Sequence, residues 1–131
     1  MDAAPEIADD EILLRHIPGG TWWQAPGPRI TSANFQLRPD RGETGVSVTR
    51  AKITGPDRLL LILGGDRAKG SRVAGVRVSD VRAMGLKVVA LPVDDDSGHA
   101  EIQSDQVSLD DHACRKKLAK LFQFVDEPNV P

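Results

Sequence analysis

The pair with the clearest chemical potential is His99 and Glu101, two residues apart in the segment HAEIQ. In a strand, residues at that spacing project to one face. An imidazole oriented by a carboxylate on the same face is a general-base arrangement. Immediately upstream, DDDSG places Asp94, Asp95 and Asp96 within reach of that imidazole. Hard oxygen donors with one nitrogen ligand would also suit a divalent cation. Against both stands a plainer account, in which DDDSG is a solvated turn and His99 a structural side chain. Residue types alone leave the choice open, and no metal is assigned.

Arg15 and His16 form the second candidate group. A planar guanidinium can hold a phosphate or carboxylate bidentately. The competing role for Arg15 is a structural ion pair with Glu101 or Asp94. Together Arg15, His16, His99 and Glu101 would make a catalytic set if one cleft gathered them. Ser32 and Ser47 are hydroxyls that need an adjacent base to act as nucleophiles. No GxSxG elbow is present, so sheet-edge hydrogen bonding is the simpler role. Gly64, Gly65 and Gly70 beside Arg67 and Lys69 lack the strand-GxxxxGK-helix order of a phosphate loop. Trp22 and Trp23 are adjacent, and in an extended segment only one can point inward. The pair is therefore either a lid on the core or a ligand or partner contact.

These residues need elements to position them. Glu11 to Ile17 reads as a strand ended by Pro18, with Ile12, Leu14 and His16 on one face and Leu13, Arg15 and Ile17 on the other. Arg29 to Leu37, carrying Phe35, and Gly45 to Arg50 read as a hairpin with a long connection. Pro56 to Leu63 reads best as a short buried helix opened by Pro-Asp and stopped by Gly64-Gly65, with a core strand as the alternative that periodicity does not separate at this length. Arg72 to Val78 is a strand, followed by a short helix with Ser79 as N-cap and Gly85 at its end. Leu86 to Leu91 is almost continuously apolar, the pattern of a central strand covered on both faces. Pro92 to Gly98 is a turn and His99 to Gln103 a strand. Ser108 is the expected cap of a last helix, whose buried stripe is Cys114, Leu118, Leu121, Phe122 and Val125. Acids at its start and Lys116, Lys117 and Lys120 further along suit the helix dipole.

A chain of 131 residues is the size of one domain. With no Tyr and few other aromatics, its core must be aliphatic. A net charge of −2 argues against nucleic-acid binding through a basic surface. The single cysteine, Cys114, falls on an apolar helix face and suits a reducing compartment. The acidic start has no basic n-region, and no apolar run is long enough to span a bilayer, so a cytoplasmic protein with no membrane partner is expected. Charge is segregated: residues 51 to 87 hold eight Lys or Arg against three acids, whereas 88 to 111 hold seven acids and no Lys or Arg. That pattern is either a solvated two-signed surface or a polarised docking surface.

The segments LLRHIP, TSANF, GVSV and GHAEI resemble a group of small uncharacterised bacterial proteins with the layout L-x-R-x-x-P, S-S-x-x-F, L-S-V, H-A-x-I and a Lys-rich last helix. The resemblance runs from Leu13 to about Phe122. It implies that Arg15, Ser32, Phe35, Ser47 and His99 belong to one constellation, without implying an activity. A fainter resemblance, to folds of the RES-domain and ADP-ribosyltransferase type, implies an NAD-consuming role. In it Arg15 or His16 matches the first element, Ser32 or Ser47 the second, and Glu101 the late acid.

The expected architecture is a single α+β domain over residues 1 to 131, with loose ends at 1 to 10 and 126 to 131. Its sheet is mixed and mainly antiparallel, with five or six strands, a packed C-terminal helix and one or two short helices. The leading expectation for function is a small binding protein, accessory to a larger bacterial system, acting through a protein partner. Trp22, Trp23, Ser32, Phe35 and Ser47 are its candidate contacts. The alternative is a nucleotide-handling or NAD-consuming enzyme with a small-molecule substrate, built on Arg15, His16, His99 and Glu101. No cofactor is nominated.

Overall fold

In the computed structural model, the described residues are 6–17, 23–24, 27–28, 30, 35, 37, 45–63, 71–104 and 111–125. Six strands form one sheet: β1 (Ile12–Ile17), β4 (Val46–Arg50), β5 (Arg72–Arg77), β6 (Lys87–Ala90), β7 (His99–Gln103) and β8 (Gln123–Phe124). A second, two-stranded sheet pairs β2 (Trp23–Gln24) with β3 (Gly27–Pro28). Three helices are found among the described residues: α1 (Pro56–Leu63), α2 (Val78–Ala83) and α3 (His112–Leu121). This is an α+β domain.

The large sheet runs β6-β7-β4-β1-β5-β8, and every neighbouring pair is antiparallel. This agrees with the expected five- or six-stranded, mainly antiparallel sheet, without the parallel pair that a mixed sheet would include. The passage β5-α2-β6 does join two strands of the same direction, but β7, β4 and β1 lie between them. A six-residue helix makes this crossing, entered from extended Arg77 and left through a turn at Met84 and Gly85. Gly85, at φ 84°, ends α2, with its N–H donating to the Arg82 carbonyl, as expected of a glycine just past a helix. Ser79 is not the cap of α2; the helix begins one residue earlier, and Arg77 holds the cap position without a side-chain bond.

Strand alternation divides the side chains cleanly. Leu13, Arg15, Ile17, Val46, Val48, Arg50, Ala74, Val76, Ala100 and Ile102 share one face, as the cross-strand register requires. The apolar members of that set are buried, and with Val78, Val81, Cys114, Leu118 and Phe122 from α2 and the α3 region they form the main core. Ile12, Leu14, His16, Ser47, Thr49, Val73, His99 and Glu101 share the other face. There Leu14 and Val73 pack with Leu59 of α1 in a smaller cluster. One side of α1 is thus buried while Leu61 is 72% exposed.

Three further expectations are corrected. The strand expected to be central, β6, lies at a margin of the described sheet, and its side chains are only half-buried or exposed. Its apolar run reflects Val88 and Ala90 packing on the core face, while Leu91 past its end is exposed. Val125 does not join the buried stripe of α3, because Phe122 leaves the helix with extended backbone and the chain continues as β8. Asp111, not Ser108, caps α3, its carboxylate accepting the Ala113 N–H; Ser108 lies outside the described residues.

The lead expected to be loose is fastened over residues 6 to 10. Ile7 is buried, and Arg82 of α2 holds both the Asp9 carboxylate and the Ile7 carbonyl. Residues 1–5 and 126–131 lie outside the described residues, as does most of the expected strand from Arg29 to Leu37. Ile30, Phe35 and Leu37 are described, and none of them is in a strand.

Candidate functional site

The turn between β6 and β7 is narrow. Val93 and Asp96 exchange backbone hydrogen bonds at 3.0 and 3.1 Å, leaving Asp94 and Asp95 at the apex, both exposed. Asp96 points inward and is 6% exposed. Its Oδ2 accepts from Thr49 Oγ1 at 2.7 Å, and its Oδ1 accepts from Thr54 Oγ1 at 2.7 Å and from the Gly98 N–H at 3.0 Å. The Asp-x-Gly step is a local turn signal. The two threonines come from the end of β4 and the turn after it, so they are reached only through the fold. A carboxylate buried without such donors would be strongly unfavourable, and three donors satisfy it.

This arrangement bears on the metal alternative. Of the three aspartates in DDDSG, Asp96 already directs both oxygens at protein donors. Among the described residues no group of three or more His, Cys, Asp or Glu is placed to hold a metal ion.

His99 and Glu101 do share a face, as their spacing requires. His99 lies opposite Thr49, and its Nδ1 is 3.0 Å from the Leu91 carbonyl oxygen, which makes Nδ1 the donor. Glu101 lies between Ser47 and Val89, and its Oε1 accepts from Gln103 Nε2 at 3.0 Å. The carboxylate folds over Gly45, where a Cβ would stand 2.7 Å from both Glu101 Oε1 and the Ile102 carbonyl oxygen.

Arg15 departs from the proposed set. Alternation sends it to the core face, where it donates to the Ser47 carbonyl at 2.6 Å and lies 5.4 Å from the Phe35 ring centroid. His16 is on the face of His99 and Glu101, but its Nε2 is 2.7 Å from Ser71 Oγ, on the β5 side of β1. The cleft expected from Arg15, His16, His99 and Glu101 is therefore divided by the sheet itself. Period-two alternation makes this unavoidable for adjacent residues such as Arg15 and His16.

Phe35, a candidate contact, is fully buried and packs on Phe122 with centroids 4.9 Å apart. Ser47 is exposed on β4. Trp23 forms part of β2 opposite Pro28, with its side chain outside the described residues; Trp22 and Ser32 lie outside them altogether.

Two residues that drew no attention as a pair, Glu11 and Arg50, form the most buried ion pair described. Their side chains are 3% and 1% exposed. The Arg50 hydrogen bonds, helped by the Ala8 N–H and by Lys52 at 3.5 Å, overcome burial and hold the Glu11 carboxyl down to about 2. No local sequence signal marks this pair, which is separated by 39 residues.

The tip also exposes apolar surface. Val93 is 47% exposed, Ile53 39% and Leu91 38%. Ile53 approaches the tip closely, since a Cβ at Gly98 would meet Ile53 Cβ at 3.2 Å. Asp94 and Asp95 make no ion pair among the described residues.

Compared with known proteins, the chain matches no family model, no curated protein and no solved structure. Among the described residues no helix is long and apolar enough to cross a membrane.

Proposed function

We propose that this protein is a small cytoplasmic binding module, accessory to a larger bacterial system, that acts by engaging a protein partner through the β6–β7 tip. The observation that carries this reading is the combination at that tip of exposed aliphatic side chains with a rigid anchor. Ile53, Leu91 and Val93 are presented to solvent beside the unpaired Asp94 and Asp95, while buried Asp96 ties the turn to Thr49 and Thr54. A surface held rigid before contact loses little conformational freedom on binding. The tip thus has the features of an interface patch: aliphatic centre, charged rim, fixed backbone. Trp22 and Trp23 are proposed as further contacts of the same module.

The enzyme reading, a nucleotide-handling cleft from Arg15, His16, His99 and Glu101, has weaker support. It needs Arg15 or His16 in one cleft with His99 and Glu101; the strand register assigns Arg15 to the other face, and His16, though on their face, is 2.7 Å from Ser71 Oγ on the β5 side of β1.

A photo-crosslinking side chain at Val93, compared with one at Val125, tests the proposal in the native host. Both positions are 47% exposed, but β8 and the tip belong to opposite margins of the sheet. The expected result is a discrete product from Val93 that unlabelled protein competes away, and none from Val125. Equal, uncompeted labelling from both positions would refute the tip as a partner surface.

A further inference from the structure

The outward face of α3 carries three lysines and no acid. Lys116 and Lys120 are one helical turn apart, Lys117 lies between them on the same side, and all three are exposed. The opposite side of the helix buries Cys114 and Leu118 in the core. None of the three lysines pairs with an acid among the described residues. The lysine face of α3 and the acidic tip therefore do not pair with each other among the described residues. Within one molecule they are held apart, because the tip belongs to β6 and β7 at one margin and α3 leads directly into β8 at the other.

We infer that the β6–β7 tip of one copy docks on the lysine face of α3 of a second copy. This rests on the reading of the tip as a binding surface and names its partner. Asp94 and Asp95 supply two carboxylates with no counter-ion among the described residues, and Lys116, Lys117 and Lys120 supply three matching ammonium groups. The aliphatic stems of those lysines offer apolar cover for Val93 and Ile53 while the charged heads meet the aspartates. Other anionic occupants fit less well. A bilayer would need the apolar stripe of α3, which is already in the core. The phosphate-reading residue type, Arg, is missing from this exposed trio.

The two patches differ, so the contact is heterologous and each copy keeps one unused half; association propagates to a ring or chain. A few exposed ion pairs with modest apolar cover correspond to a Kd on the order of 0.1–1 mM, weakened by salt.

Sedimentation equilibrium up to about 1 mM protein reads this directly, at about 0.02 M and about 0.5 M salt. The full chain is expected to associate at low salt and to become monomeric at high salt. D94K/D95K reverses the tip, and K116E/K117E/K120E reverses the helix face. Each variant alone is expected to stay monomeric, since its two halves now repel. Mixed together they are expected to associate again, because each tip then meets a helix of opposite sign. All of these positions are exposed, and circular dichroism confirms that each variant is folded. A monomeric wild type at low salt, or a mixture that fails to associate, overturns the second-copy inference. Should Val93 still crosslink a different protein competitively, the binding-module reading survives that failure. If wild type remains monomeric but binds a poly-glutamate peptide through α3, the occupant is an acidic partner and the inference is again overturned.

Discussion

Arg50 and Glu11 meet in a two-point ion pair inside the protein. Arg50 Nε donates to Glu11 Oε1 at 2.8 Å, and Arg50 Nη2 donates to Glu11 Oε2 at 2.8 Å. Glu11 also accepts the Ala8 N–H at 2.7 Å, so the same carboxylate fixes the segment before β1. Because Arg50 ends β4 and Glu11 precedes β1, the pair fastens the centre of the sheet at one end. Its neighbour Thr49 begins the second polar network, through Asp96, and the Arg50 N–H reaches the Gly98 carbonyl at 2.8 Å. The ion pair and the tip thus lie on opposite faces of the sheet and are linked through the backbone of Thr49, Arg50 and Gly98.

That pair sets a pH dependence of stability. The folded-state pKa of Glu11, about 2, lies below its ordinary 4.5, so the stabilisation is complete above about pH 4.5 and is lost as pH falls toward 2. The shift corresponds to about 3 kcal/mol across that window. Arg50→Met alone, which strands Glu11 in the interior, is expected to cost about 3–5 kcal/mol at pH 7. Glu11→Gln should cost less and should flatten the acid limb of the stability curve. Urea unfolding from pH 2 to pH 7 measures both; an acid limb of the same depth in Glu11→Gln would assign the dependence to other groups.

Asp96 is expected to be the residue on which the tip depends. Asp96→Ala leaves two buried threonine hydroxyls without their acceptor, at about 1–3 kcal/mol for each group left unpaired. Asp96→Asn keeps one acceptor and should fall between. Faster amide exchange at Gly98 and at Arg50, relative to β5, is the local signature. An unchanged exchange rate at Gly98 in Asp96→Ala would show that the backbone bonds of the turn suffice.

For Phe35 the expected effect is on folding. It is fully buried against Phe122, so Phe35→Ala should lose about 3–5 kcal/mol of stability. Arg15, whose guanidinium lies near that ring, should become more exposed in the variant. Thermal unfolding and the crosslinking yield from Val93 separate the two roles. A normal melting temperature with lost crosslinking would place Phe35 in the interface instead of the core.

Much of this was legible in the chain itself. The alternation of Ile12 to Ile17 assigned Arg15 and His16 to opposite faces of the sheet. The spacing of His99 and Glu101 placed them on one face, Pro56 opened a helix, and Gly85 ended another. These are local matters: backbone geometry repeats every two or 3.6 residues, and glycine and proline restrict φ and ψ where they stand.

The strand order was decided elsewhere. An apolar run such as Leu86 to Leu91 records how much of a strand is buried, but not which neighbours it acquires, so β6 could read as central and lie at a margin. Partners remote in sequence were equally hidden. Nothing near Asp96 nominates Thr49 and Thr54, and nothing near Arg50 nominates Glu11. Burial created both networks, since a carboxylate removed from water must find donors wherever the fold brings them. Only the tertiary structure made the DDDSG segment two things at once, with Asp96 an internal anchor and Asp94 and Asp95 left facing solvent.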